Sequence, residues 1–129
     1  MDGVWWDVYG AEACRAFRGE LLAVTLNGHG ARPARVHHYR NSGGGAVALA
    51  IARGAKRVVL LGYDMQHTGG RAHWHGDHPD RLGNAGKVAE WPAEFEALAR
   101  DHPCVEIINC SRETALTCFP RMSLKEALC

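Results

Sequence analysis

The sequence predicts an α/β fold in which a small parallel sheet is flanked by helices, and three observations carry that prediction. Short apolar stretches that suit buried strands alternate with stretches of helical character. The stretch 57–63, RVVLLGY, is apolar at consecutive positions, which calls for cover on both faces rather than one. Between 90 and 101, Trp91, Phe95, Leu98 and Ala99 recur at spacings of three and four, the stripe of an amphipathic helix. Strand, helix and strand in that order imply right-handed crossovers and parallel pairing.

Taken in order, residues 11–18 read as a short helix ending at Gly19, and 21–25 as a brief buried strand. Residues 26–45, rich in glycine and histidine, read as a loop. A small-residue helix is predicted over 45–53, with Gly54 as its cap. The strand 57–63 leads into a long polar loop, 64–86. The helix at 90–101 has Pro92 in its first turn, where a missing N–H is tolerated. Residues 105–108 give another strand, and Ser123-Leu-Lys-Glu126 is a capping box that opens a closing helix. Three or four strands make one thin sheet. The expectation is a single Rossmann-like nucleotide-binding domain over residues 1–129, completed by a homodimer or higher homo-oligomer, with Trp5 and Trp6 in that interface or in the core.

At 129 residues the chain supports one modest core. Fifteen basic residues against fourteen acidic ones give no bias toward nucleic acid or a membrane surface. The longest apolar run, 46–52, is far too short to cross a bilayer. Five cysteines, an odd set with no C-x-x-C spacing, and an amino terminus without a secretory leader pattern predict free thiols and a cytoplasmic location.

In an open parallel sheet the ligand sits beyond the carboxyl ends of the strands. Asn41, Ser42, Gly43 and Gly44 stand just ahead of a helix, whose unpaired amides and positive dipole end suit an anion; the same residues also suit a plain cap. Asp64 and Met65 follow the strand 57–63, where a carboxylate can accept from sugar hydroxyls or simply form a turn. Asn109 and Ser111 end the later strand at the same edge.

The densest cluster lies in the loop between them: Arg71, His73, Trp74, His75, Asp77 and His78. Its histidines suit phosphate contact or acid–base work near neutral pH, and Trp74 suits stacking on a base. The pattern H-x-H-x-x-H has no second, distant ligand pair, so no metal is expected there. His73, His75 and His78 are the candidate catalytic residues. Arg35 to Arg40, with His37 and His38, either lends a cation or forms an exposed strand.

The stretch NSGGGAVALAIARGAKRVVLLGYDMQ resembles the MptE-like, DUF115-type Rossmann proteins, whose members include a hydroxymethylpterin diphosphokinase. It is similar, more distantly, to the bacterial sialyltransferases that use CMP-sialic acid. HTGGRAHWHGDHP, INCSRETALTCFPR and SLKEAL look like a phage-encoded branch, and the resemblance covers residues 41–128. It implies nucleotide binding on Asn41, Ser42, Gly43 and Asp64, and a histidine downstream of the aspartate. The family's glycine-rich phosphate loop has no counterpart in residues 1–40, where Asn27-Gly-His-Gly30 is the nearest turn. The resulting expectation is a phage protein, acting in the host cytoplasm, that sequesters a host nucleotide signal such as an ADP-ribose derivative or a cyclic nucleotide without turnover. The alternative is a diphosphokinase or nucleotide-sugar transferase with a loop histidine as acid or base. No cofactor is expected for the first reading, and Mg²⁺ only for the second.

Overall fold

The computed structural model describes residues 3–24, 30–79 and 82–129. It is a mixed α/β arrangement. Helix α1 runs Gly3–Ala16, strand β1 Leu22–Ala23, strand β2 Arg32–Pro33 and helix α2 Ser42–Ala52. Strand β3 is Arg57–Leu60, helix α3 Trp91–Asp101 behind a single 3₁₀ turn at Val88–Glu90, strand β4 Glu106–Asn109 and helix α4 Leu124–Ala127.

One sheet of three or four strands is not what these elements build. Among the described residues, β1 pairs in parallel with β2, and β3 pairs separately in parallel with β4. The second pair matches Arg57 with Glu106 and Leu60 with Asn109. Ile107 and Ile108, adjacent in β4, are both buried, whereas in β3, where the apolar run predicted cover on both faces, only Leu60 is buried, Val58 and Val59 are partly so, and Leu61 just beyond it is 56% exposed. β3 stops at Leu60 rather than Tyr63. Gly62 takes φ +70°, and the Tyr63 amide donates to Ser111 Oγ at 2.7 Å instead of continuing a ladder. The predicted strand 21–25 is reduced to two residues, and Thr25 and most of the Asn27–Gly30 turn lie outside the described residues.

Helix α1 begins eight residues earlier than residue 11, because Trp6 and Gly10, four apart on one face, are both buried. Trp6 therefore belongs to the interior of this chain. Helix α2 begins at Ser42 rather than 45, with Asn41 as its cap: Asn41 Oδ1 accepts from the amides of Gly43 and Gly44 at 2.8 and 3.3 Å. It ends as a Schellman motif. The Gly54 amide bonds Ile51 O, the Ala55 amide bonds Ala50 O, and Gly54 takes φ +97°. The capping box at α4 is formed, with Ser123 and Glu126 each satisfying the other's backbone.

The core gathers Val47 and Ala48 from α2, Leu60 and Ile107 from the sheet, and Phe95 and Leu98 from α3. Tyr39, Leu116 and Phe119 close it from the loops. Arg35, Tyr39 and Arg40 all take positive φ, so this basic stretch is a sequence of tight turns and not a strand. Arg40 pairs with Glu90 at 3.5 Å.

Tyr39 is 2% exposed and donates its hydroxyl to Asp101 Oδ2 at 2.8 Å. Burial, and then the Asp101 carboxylate, push its phenol from 10.0 up to about 12. Above pH 10.0 the unfolded chain loses this proton first, so the contribution to stability is complete below 10.0 and is lost as pH rises to about 12. Denaturant midpoints followed between these limits are expected to fall more steeply for the parent than for Tyr39→Phe, and parallel curves would contradict the assignment.

No helix among the described residues is long and apolar enough to cross a membrane. No disulfide joins cysteines among the described residues, and burial pushes the Cys118 thiol upward, away from a reactive thiolate.

Candidate functional site

The residues expected to share one binding edge are split, and two groups of them line separate clefts. Asn41 and Ser42 line the first, of about 470 Å³, between β1–β2 and the start of α2, together with His38 and Arg40. Asp64, Met65, Arg71, His73 and Trp74 line the second, of about 600 Å³, beyond the carboxyl end of β3. No described residue is common to both.

The α2 terminus is largely occupied by the fold itself. Asn41 already takes the Gly43 and Gly44 amides, and the Gly45 amide bonds Asn41 O at 3.0 Å. The Tyr63 ring lies over this turn. A Cβ at Gly43 would stand 2.8 Å from Tyr63 Cε1, so glycine there admits an aromatic ring, and the Tyr63 hydroxyl donates to Gly43 O at 3.3 Å. Gly44 is held bare in the same way by Tyr39 Cβ, 3.0 Å from a Cβ at that position. Tyr63 therefore separates the Asn41 turn from Asp64, the next residue in the chain.

Asn109 and Ser111 are also engaged internally. Asn109 is 0% exposed; its Nδ2 donates to Thr114 Oγ1 at 3.1 Å and its Oδ1 accepts from the Ser111 amide at 3.0 Å. Ser111 Oγ accepts from the Tyr63 amide, and Thr114 Oγ1 donates to Tyr63 O at 2.7 Å. These side chains fasten the end of β4 to the end of β3. Their contribution to the cleft is to hold its floor.

At the second cleft, Met65 takes φ +50°, a conformation unusual for a long side chain, which turns the chain sharply after Asp64. Asp64 Oδ2 accepts from Thr68 Oγ1 at 3.0 Å, and its other oxygen has no partner among the described residues. Arg71 is exposed and forms no ion pair among them. Trp74 is 90% exposed. Trp91, which the periodicity assigned to the apolar stripe of α3, lines this cleft with Ala85 and Val88.

The loop brings its three histidines together. The turn His73–Gly76 closes through the Gly76 amide to His73 O at 3.3 Å, with Gly76 at φ +88°. The ring centroids of His73 and His78 lie 4.2 Å apart, and each lies 5.1 Å from that of His75, with all three rings nearly parallel. One nitrogen from each ring falls within 4.8 Å of one from each of the other two. Residues 83–85, later in the loop, brace them. His78 Nδ1 contacts Gly83 O at 3.1 Å, the His78 amide donates to Asn84 Oδ1 at 2.9 Å, and the Ala85 amide donates to His73 Nε2 at 3.3 Å. Burial, then the neighbouring His78 and His75 rings, hold His73 below the ordinary imidazole value. His73 thus faces the cleft as a neutral imidazole at neutral pH. Asp77 is exposed at the edge of this cluster.

Comparison with protein-family models, with curated proteins and with solved structures finds no match to this chain.

Proposed function

We propose that the chain binds a nucleotide-type phosphorylated small molecule in the cleft beyond β3 and holds it without turnover. The observation that carries this reading is the content of that cleft. A cavity of about 600 Å³ is large enough for such a ligand, and its wall combines Arg71, Asp64 and two indoles, Trp74 and Trp91. Arginine offers a phosphate a planar fork of donors, a carboxylate accepts from sugar hydroxyls, and an indole face stacks on a base. An exposed tryptophan on the wall of a cleft has little to gain in water and much to gain against a ring. We read the β3–α3–β4 unit as half of a Rossmann-like domain with its site in the usual place, outside the carboxyl ends of parallel strands. The resemblance of residues 41–128 to the MptE-like group points the same way, and a phage protein that sequesters a host nucleotide signal is the role it favours.

A transferase reading has one observation in its favour: His73 lines the same cleft as a neutral imidazole, which is the form of a general base. The two readings part on the fate of the ligand. Purified protein titrated with ADP-ribose and with AMP is expected to show saturable quenching of tryptophan fluorescence with at least one of them. Arg71→Ala is expected to weaken that binding about tenfold or more, the loss of a hydrogen bond to a charged group. Trp74→Ala removes a stacking face worth about 1–3 kcal/mol. Heat denaturation of the complex should then release intact nucleotide, about one per site. Variants that bind like the parent would move the site elsewhere, and altered nucleotide in large excess over protein would establish an enzyme.

A further inference from the structure

We infer that His73, His75 and His78 form a binding site for a late first-row divalent transition ion, of which Zn²⁺ is the natural occupant. The spacing H-x-H-x-x-H alone argues against a structural zinc, since no second ligand pair follows it. The folded loop supplies what the spacing does not. The turn at Gly76 folds the segment back, and one nitrogen from each ring comes within 4.8 Å of the other two, close enough that small ring rotations bring all three to the roughly 3.3 Å spacing of nitrogens held about 2.0 Å from one tetrahedral ion.

The donor chemistry then selects the ion. Three imidazole nitrogens suit zinc, copper or nickel, while Mg²⁺ takes oxygen ligands and has little to gain here. The hydrogen bonding of the loop is of the kind that orients metal ligands. His78 directs Nδ1 at the Gly83 carbonyl, which places the proton there and leaves Nε2 with its lone pair free. His73 Nε2 accepts a long hydrogen bond from the Ala85 amide, so an ion taken on that nitrogen displaces the amide and registers there.

Three protein ligands leave a fourth tetrahedral position, the arrangement of zinc sites that handle a ligand rather than of closed structural ones. Because His73 also lines the cleft beyond β3, that position lies at the cleft's edge, where water or an oxygen of a bound anion would complete the shell. The metal site itself stands apart from the nucleotide reading, since it follows from the three imidazoles alone.

The test uses the full chain, stripped of metal with a chelator and titrated with Zn²⁺, and separately with Co²⁺ as a coloured substitute. One ion per chain is expected, with the visible absorption of tetrahedral Co²⁺ and a shift of the Ala85 amide resonance in ¹H–¹⁵N spectra. His75→Ala is the cleanest variant, because His75 is exposed and its loss leaves the packing intact. It is expected to weaken Zn²⁺ binding about tenfold or more, and His78→Ala likewise. Mg²⁺ in excess should not displace Co²⁺. Absence of saturable uptake would overturn the inference. So would uptake unchanged in both variants, which would put the ion on other histidines, or ready displacement by Mg²⁺.

Discussion

Phe95→Ala is expected to lower the free energy of unfolding by about 3–5 kcal/mol, the cost of emptying a fully buried aromatic position. Phe95 is 0% exposed and sits on the inner face of α3. Its ring meets Tyr63 edge-on at 5.8 Å and Phe119 edge-on at 6.3 Å, so one truncation strips a partner from two further aromatics. Domains of this size have about 5–15 kcal/mol in total, so the variant retains a fraction of its stability at best. The damage also has a direction. Tyr63 covers the Asn41–Gly43 turn on one side and adjoins Asp64 on the other, so loosening it disturbs both clefts. Phe95→Leu, which keeps most of the volume, should lose clearly less. Chemical denaturation checks both, and an alanine variant within about 1 kcal/mol of the parent would mean that this ring is not the centre of the core.

Asn109→Leu should follow closely, with a loss of about 3 kcal/mol from one orphaned amide and a disturbed network. The Ser111 amide loses its acceptor at a position that is 4% exposed, beyond the reach of replacement by bulk water. Thr114 loses the donor on its oxygen, although its own bonds to Tyr63 O and from the Leu116 amide remain. Asn109→Asp gives a sharper reading. It keeps the acceptor for Ser111 but turns a carboxylate toward Thr114 in a fully buried site, which raises the folded-state pKa. Below the unfolded carboxyl value of about 3.9 both states are protonated and the variant is at its best; its deficit against the parent then grows as pH rises through and beyond that value. A deficit that does not change with pH would place Asn109 in contact with solvent, contrary to its burial.

What was legible in the sequence was mostly what is local. The Asn41 cap, the glycine closing α2 at Gly54 and the Ser123–Glu126 box each depend on residues within one turn, and each forms. The stripe Phe95–Leu98 was legible because burial leaves a periodic mark, and both strands of the second pair because short apolar runs name strands. The starts of α1 and α2 were not. Two tryptophans, a tyrosine and three successive glycines are poor helix formers, and here tertiary packing around Trp6, Gly44 and Gly45 overrides propensity. Strand pairing was illegible for a different reason: apolar runs name strands but not partners, so one expected sheet became two pairs.

The candidate site divides in the same way. Asp64, Arg71, His73 and Trp74 were found from residue type and do share a cleft. Asn109 and Ser111 have the same chemistry as ligand contacts, and only burial reveals that the fold uses them. Trp91 was missed because an apolar stripe reads alike whether it faces a core or a cleft wall. The convergence of His73, His75 and His78 was hidden because their separation along the chain carries no information about the turn at Gly76.

The segment after β4 has a consequence for how the protein is made. Leu116, Phe119 and Ala127 are all buried, the Asn109 amide bonds Pro120 O at 2.9 Å, and Arg57 Nη1 reaches the carbonyl of Ala127 at 3.2 Å. A ribosome delivers β3, α3 and β4 before any of these partners, so the nascent chain holds Leu60 and Ile108 without their cover while residues 110–127 are still in the exit tunnel. Such a species exposes apolar surface and unpaired strand edges, the conditions under which chains associate wrongly or recruit chaperones. A message truncated shortly after the codon for Asn109 would therefore yield an aggregating fragment rather than a smaller working domain.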